Sequence, residues 1–193
     1  MRLSPRACIS AAVLAIVASA ASAQKGEIQV GGVGSYGTSD AAGAGAGMVL
    51  GVAAGRIAYV GLRWTYFAGT TEPRGPAPPA EVTTRSHVFA LDLGVQIPVG
   101  RLEVVPGMSV GFVRFAQRVR APAGGGSTVE HETEFLAVPG VAVAVQAGSM
   151  SLIPELRYSL AGSPSSLPWR VSHRGLLLSL RLVITFEVGR IRQ

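Results

Sequence analysis

The groups in this sequence that could do covalent or acid–base chemistry are serines, histidines and carboxylates, and the histidines number only three: His87, His131 and His173. A nucleophilic serine needs a base within hydrogen-bond reach and a third group to orient that base. The sequence offers Ser86 beside His87 and Ser172 beside His173. In extended chain, adjacent residues point to opposite faces, so neither dipeptide is arranged as a dyad. Glu155 and Glu187 suggest a paired-carboxylate site, since shared burial would separate their pKa values. Arg157 and Arg181 lie on the same faces, however, and ion pairing is the expected role of these groups. Gly124-Gly125-Gly126 has no helix after it and is no phosphate-binding loop. No cofactor and no metal site is expected.

Which elements hold these residues depends first on where the mature chain begins. Arg2 and Arg6 form a positive leader, Ala7 to Ala20 an apolar stretch, and Ala21-Ser22-Ala23 a small-residue cleavage site before Gln24. The apolar stretch is shorter than the roughly 20 residues of a spanning helix and ends in the cleavage pattern. Residues 1–23 therefore read as an export signal, with cleavage between Ala23 and Gln24, and residues 24–193 as one domain. Cys8, the only cysteine, lies inside the leader. The mature chain then has no disulfide, no thiolate metal ligand and no cysteine nucleophile.

The formal net charge of +6 falls to +4 when Arg2 and Arg6 leave. Lys25 is the only lysine and there is no basic run, so the charge is carried by scattered arginines and no nucleic-acid partner is expected. Mean hydropathy is +0.39, yet the mature sequence contains no run of 18 or more apolar residues. An apolar exported chain without a spanning helix points to the other structure that satisfies its backbone in lipid, a closed β-barrel.

Eight extended segments read as strands: 26–36, 45–54, 56–68, 84–98, 101–116, 132–147, 150–161 and 174–189. Each meets the roughly 9 to 11 residues that a tilted membrane strand needs. Tight Gly-containing hairpins are expected at Ala53-Ala54-Gly55-Arg56, Pro98-Val99-Gly100-Arg101 and Gln146-Ala147-Gly148-Ser149. The other connections, 37–44, 69–83, 117–131 and 162–173, are long and rich in Gly, Pro, Ser and Thr. Short and long connections alternate, as periplasmic turns and extracellular loops do in membrane barrels.

Period-two patterning assigns the faces. In the eighth segment Leu176, Leu178, Leu180, Leu182, Ile184, Phe186 and Val188 oppose Ser179, Arg181, Thr185, Glu187 and Gly189. Phe89, Leu91, Leu93, Val95 and Ile97 oppose Ser86, Ala90, Asp92, Gly94 and Gln96 in the fourth. The face opposite the leucines holds small residues and a few charges, as a narrow barrel interior requires. Charged residues make up only 15% of the chain, against about 25% in a typical soluble protein. The large apolar face is therefore assigned to lipid. The inward charges are Arg63, Asp92, Glu103, Glu155, Arg157, Arg181 and Glu187, expected to form a structural network in the lumen. Trp64, Tyr66, Phe67, Phe112, Phe115 and Phe135 are expected in an interfacial girdle near the long loops.

On these segments the chain resembles the small bacterial outer-membrane barrels of the OmpA/OmpX-like type, by pattern over almost the whole mature length. The resemblance implies an all-β, eight-stranded antiparallel up-and-down transmembrane β-barrel in the outer membrane, inserted by the assembly machinery. Such barrels commonly end in an aromatic residue; here Leu180-Arg181-Leu182-Val183-Ile184-Thr185-Phe186 continues to Gln193. A side-chain-filled lumen argues against an open pore and admits no substrate. The expected role is an envelope-structural or surface-interaction one, exerted through the extracellular loops by a monomer. Arg114, Arg118, Arg120 and Arg174 would face lipopolysaccharide phosphates. Two alternatives are a lipid A-modifying, deacylase-like enzyme using Ser86 or Ser172, and a soluble periplasmic lipocalin-like carrier.

Overall fold

A computed structural model describes residues 26–54, 57–122 and 126–187. The export leader with Ala23 and Gln24, Arg56, Gly124 and Gly125, and the segment from Val188 lie outside these residues. Ten strands form: β1 (Gly26–Gly37), β2 (Gly43–Ala54), β3 (Ala58–Phe67), β4 (Thr71–Arg74), β5 (Ala80–Val95), β6 (Ile97–Val99), β7 (Leu102–Arg120), β8 (Ser127–Ala147), β9 (Met150–Ala161) and β10 (Gly175–Glu187). Every pairing is antiparallel. β1 pairs with β10 and β5 with β7, so β1, β2, β3, β5, β7, β8, β9 and β10 close into a barrel of eight strands. Closure removes every free edge along the wall, the condition for satisfying backbone groups without water.

The two short strands are local extensions of this frame. β6 continues the line of β5 after a break at Gln96, whose N–H donates to the Ile57 carbonyl (2.7 Å). β4 folds back on the start of β5. Gly100 and Gly148 take φ of +64° and +65° in the two described short turns, a left-handed conformation that glycine adopts without a Cβ clash.

Two expected loops are largely strand. Residues 69–83 hold β4 and the start of β5, and residues 117–131 hold the end of β7 and the start of β8, paired up to Arg120 opposite Ser127. Their polar composition suggested loops. Beyond the apolar belt both faces of a sheet can be polar, and alternating Thr, Val, Glu and Arg continue the ladder there.

Side-chain parity follows the period of two. Tyr36, Met48, Leu50, Leu62, Phe89, Leu93, Met108, Phe112, Phe135, Leu152, Leu156, Tyr158, Leu160, Leu178, Leu180, Leu182, Ile184 and Phe186 are all exposed on the outside. Inside, two apolar clusters are separated by a charged layer. The cluster nearer the short turns holds Val33, Val49, Ala142, Ala144, Ile153 and Val183. The one nearer the long connections holds Phe67, Val88, Val113, Phe115, Leu136 and Val138, joined by Ala41, Ala42, Leu167 and Val171 from the connections themselves.

Phe67 and Phe115 thus correct the expected girdle. Both are buried in the lumen, one residue after outward Tyr66 and three after outward Phe112, and odd offsets reverse the face. The girdle positions that do face outward are Trp64, Tyr66, Phe112 and Phe135, together with Tyr36, Phe89 and Tyr158. Most sit about ten residues from the short-turn end, roughly the length a tilted strand needs to cross hydrocarbon.

Candidate functional site

The charged layer is built by parity from five strands. β3 carries Arg63, β5 Asp92, β7 Ser109, β9 Glu155 and Arg157, and β10 Arg181, each on an inward position. Arg63 bridges the lumen: its Nε donates to Asp92 Oδ2 (2.9 Å) and its Nη2 to both oxygens of Glu155 (2.8 and 3.0 Å). Arg157 Nε lies 3.0 Å from Glu155 Oε2, and its Nη1 lies 3.5 Å from Asp92 Oδ1 and donates to Ser109 Oγ. Ser109 Oγ–H in turn donates to Asp92 Oδ1 (2.5 Å). Arg181 Nε pairs with Glu155 Oε1, while its Nη1 donates to the Tyr59 hydroxyl (3.1 Å).

Tyr59 lies on the inner wall over Gly51 and Gly61, where a Cβ would come within 2.5 Å of the tyrosine ring and 2.4 Å of its hydroxyl, respectively. Glycine at both positions lets the ring lie flat and puts its hydroxyl beside Arg181. The guanidinium also stands 5.3 Å from the ring centroid. Among the described residues of this layer, three guanidinium groups face two carboxylates, and the side chain of Glu155 is fully buried. Multiple hydrogen bonds on each carboxylate make such burial tolerable, because a buried charge left unpaired is strongly destabilising.

Five of the seven inward charges expected from the sequence are therefore together: Arg63, Asp92, Glu155, Arg157 and Arg181. Glu103 is apart from them, half-buried near the short-turn end, where it accepts a hydrogen bond from Gln146 Nε2 (3.3 Å). Glu187 is opposite Glu27 at that same end, whereas the residue of β10 opposite Glu155 is Ser179. Eight positions along a strand separate the two glutamates in register by roughly 26 Å, so Glu155 and Glu187 form no carboxylate pair. The register between β9 and β10, invisible in the sequence, decides this.

Neither Ser–His dipeptide forms a dyad. Ser86 is buried and donates to the Ala41 carbonyl (2.7 Å), while His87 points outward between Trp64 and Tyr66, with ring centroids 6.2 and 5.1 Å away. Ser172 Oγ accepts from the Arg174 backbone N–H (2.9 Å). His173 instead meets a serine from another element: its Nδ1 is 3.1 Å from Ser159 Oγ on β9. Both residues are fully buried, and the imidazole lies edge-on to Phe67 (5.0 Å) and Phe115 (6.5 Å). Burial pushes the His173 imidazole down to about 4, keeping it neutral. No carboxylate among the described residues hydrogen-bonds to it. This contact was missed because it exists only when the 162–174 connection folds into the barrel mouth.

That connection is tied down on both sides. Glu132 on β8 accepts from the backbone N–H groups of Ser165 (3.0 Å) and Ser166 (2.9 Å), and Gln117 on β7 exchanges hydrogen bonds with the backbone of Trp169 (2.9 and 3.2 Å). Leu167, Val171 and His173 fill the mouth. Below them lies a small cavity of about 20 Å³, lined chiefly by Phe67, Val88, Leu136, Val138 and Leu177, with Arg157, His173 and Ser179 beside them. Among the described residues, the two apolar clusters and the charged layer fill the lumen with side chains around this cavity.

The outer-rim arginines divide. Arg114, Arg118 and Arg120 lie on one outward face of β7, while Arg174 precedes β10, with β8 and β9 between them.

No protein-family model matches the chain, and no curated protein matches it. Solved structures do. A major outer membrane protein from Thermus thermophilus superposes with a TM-score of 0.63 at 12% identity, over 83% of this chain and 98% of that one. Neisserial surface protein A superposes with a TM-score of 0.55 at 14% identity, over 83% of this chain and 97% of that one. Identity this low carries the fold alone. The closed eight-strand barrel, its outward apolar belt and these two superpositions together give the chain the fold of the small outer-membrane β-barrels.

Proposed function

We propose that this chain is a monomeric outer-membrane barrel that serves the cell envelope as a structural or surface-interaction protein, working through its outer rim and extracellular connections. The observation that carries the reading is the inversion of polarity across the wall. Leucine, phenylalanine and methionine side chains cover the outside, and a buried layer of arginines and carboxylates crosses the inside between the two apolar clusters. A soluble carrier of the lipocalin type would need the reverse, with an apolar cavity to receive its ligand.

A role without catalysis fits the isolation of Ser159 and His173, sealed under Leu167 and Val171 and away from both lipid and solvent. Expressing the gene should leave the acyl-chain mass of extracted lipid A unchanged, and a mass shift abolished by Ser86→Ala, Ser172→Ala or Ser159→Ala would establish an enzyme instead.

The membrane reading is tested by fractionation combined with electrophoresis of heated and unheated samples. The expected result is recovery with the outer membrane and a folded band of altered mobility. A soluble periplasmic protein with one mobility would overturn it.

A further inference from the structure

Beyond the apolar belt, β5, β7 and β8 continue outward as a three-stranded sheet, and charge is segregated between its faces. The face turned toward the 162–174 connection carries Glu130, Glu132 and Glu134 of β8. The opposite face, continuous with the lipid-facing surface through Phe89, Phe112 and Phe135, carries Arg85, Arg114, Arg118 and Arg120 with His87 and His131. Its only carboxylate among the described residues of these strands is Glu81. The four arginines are exposed, and none lies within ion-pair distance of a described carboxylate; Glu81, directly opposite Arg120 at the outer end, is the one carboxylate set against four arginines.

The register gathers these cations around one small residue. Ala116 on β7 is directly opposite Arg85 on β5 and directly opposite His131 on β8. Arg114 and Arg118 flank Ala116 on the same face of its own strand. Arg85 is therefore the diagonal neighbour of both, with Cβ atoms about 7 Å apart, a spacing at which like charges repel. The methyl group of Ala116 leaves the centre of this ring open. Arg114 is the first outward position after Phe112, which sets the ring just above the apolar belt.

We propose that Arg85, Arg114, Arg118 and His131 form a cradle around Ala116 that binds the phosphate group of an outer-leaflet membrane lipid. Guanidinium groups bind phosphate oxygens through paired, charge-assisted hydrogen bonds, and an anion seated among three of them removes their mutual repulsion. The lipid source follows from position: the cradle continues the surface that touches acyl chains, and a phosphate anchored in the leaflet reaches it without leaving the bilayer. The proposal rests on the membrane reading above.

The test uses the full mature chain refolded into phosphatidylcholine vesicles doped with phosphatidic acid, or with diacylglycerol as the phosphate-free control. Lipid retained after extraction is measured by native mass spectrometry. The wild type should retain phosphatidic acid and not diacylglycerol. Ala116→Glu, which puts a carboxylate in the cradle, and Arg114→Gln/Arg118→Gln should each retain it roughly tenfold less, in line with the pull of surface arginines on anionic lipid. Arg170→Gln, which removes an exposed charge from the 162–174 connection over the barrel mouth, should match the wild type. Equal retention by folded, inserted wild type and both cradle variants would overturn the proposal, as would complete displacement of the lipid by excess inorganic phosphate. A chain that fails to insert or to show a heat-shifted band overturns the membrane reading instead.

Discussion

Arg63 on β3 reaches Glu155 on β9 from the opposite wall of the barrel, its Nη2 2.8 Å from Oε2, and so joins two strands that share no backbone hydrogen bond. The contact sits midway between the two apolar clusters and spans an interior whose width the eight strands fix. Its partners make the network unequal in its tolerance of change.

Glu155 accepts from three arginines, so Glu155→Ala would leave three guanidinium groups facing Asp92 alone. Removing one partner of a buried pair typically costs about 3–5 kcal/mol. Urea titration of the refolded protein in vesicles should show a loss of that order. Arg157→Met, which leaves two cations for two carboxylates, should lose clearly less. Equal losses would mean that the network is not coupled as the geometry indicates.

His173 links stability to pH. Its imidazole has a folded pKa of about 4 against an ordinary value of 6.5. The unfolded chain therefore binds a proton that the folded one refuses. The contribution is fully present above pH 6.5 and is lost as pH falls from 6.5 toward 4, by about 3 kcal/mol in all if the proton is fully excluded. Unfolding midpoints of wild type and His173→Gln should converge across that window. A constant difference would show that His173 titrates normally.

Glu132 holds the 162–174 connection by two backbone N–H groups. Glu132→Ala should release it without altering the barrel wall, and trypsin should then cut after Arg170 several-fold faster than in the wild type. Unchanged digestion would assign the closure to Gln117 and the buried Leu167 and Val171.

The outward apolar belt predicts a cost that depends on depth. Leu180→Arg, near the middle of β10, should destabilise the inserted barrel by about 2–4 kcal/mol, and Tyr36→Arg, at the rim, by about 0–1 kcal/mol. Refolding titrations in vesicles give both numbers. Similar small effects at the two positions would argue that lipid does not cover Leu180.

The number of barrel strands and the two faces of the strongly alternating segments were legible in the sequence, because both depend on local quantities. Alternation in the segment from Leu176 to Phe186 is a property of neighbouring residues, and it put Arg181 inside and Leu180 outside before any pairing was known. Arg63, Asp92, Glu155, Arg157 and Arg181 were separated from the lipid face in the same way. The same rule places Phe67, Phe115 and Tyr59 inward, since each is an even number of residues from a buried neighbour.

Register and loop placement were decided only by the tertiary structure. A period of two says which face a side chain occupies and nothing about its height along the barrel. Glu155 and Glu187 share a face parity, yet the β9–β10 register puts Ser179 opposite Glu155 and sends Glu187 to the other end. The register of β5, β7 and β8 likewise collects Arg85, Arg114, Arg118 and His131 around Ala116, residues with no local relation in the sequence. The pairing of Ser159 with His173 needs a connection folded into the mouth, held by Glu132 and Gln117. Those contacts arise from barrel closure, in which every strand's height is fixed by its two neighbours together, and no single segment carries that information.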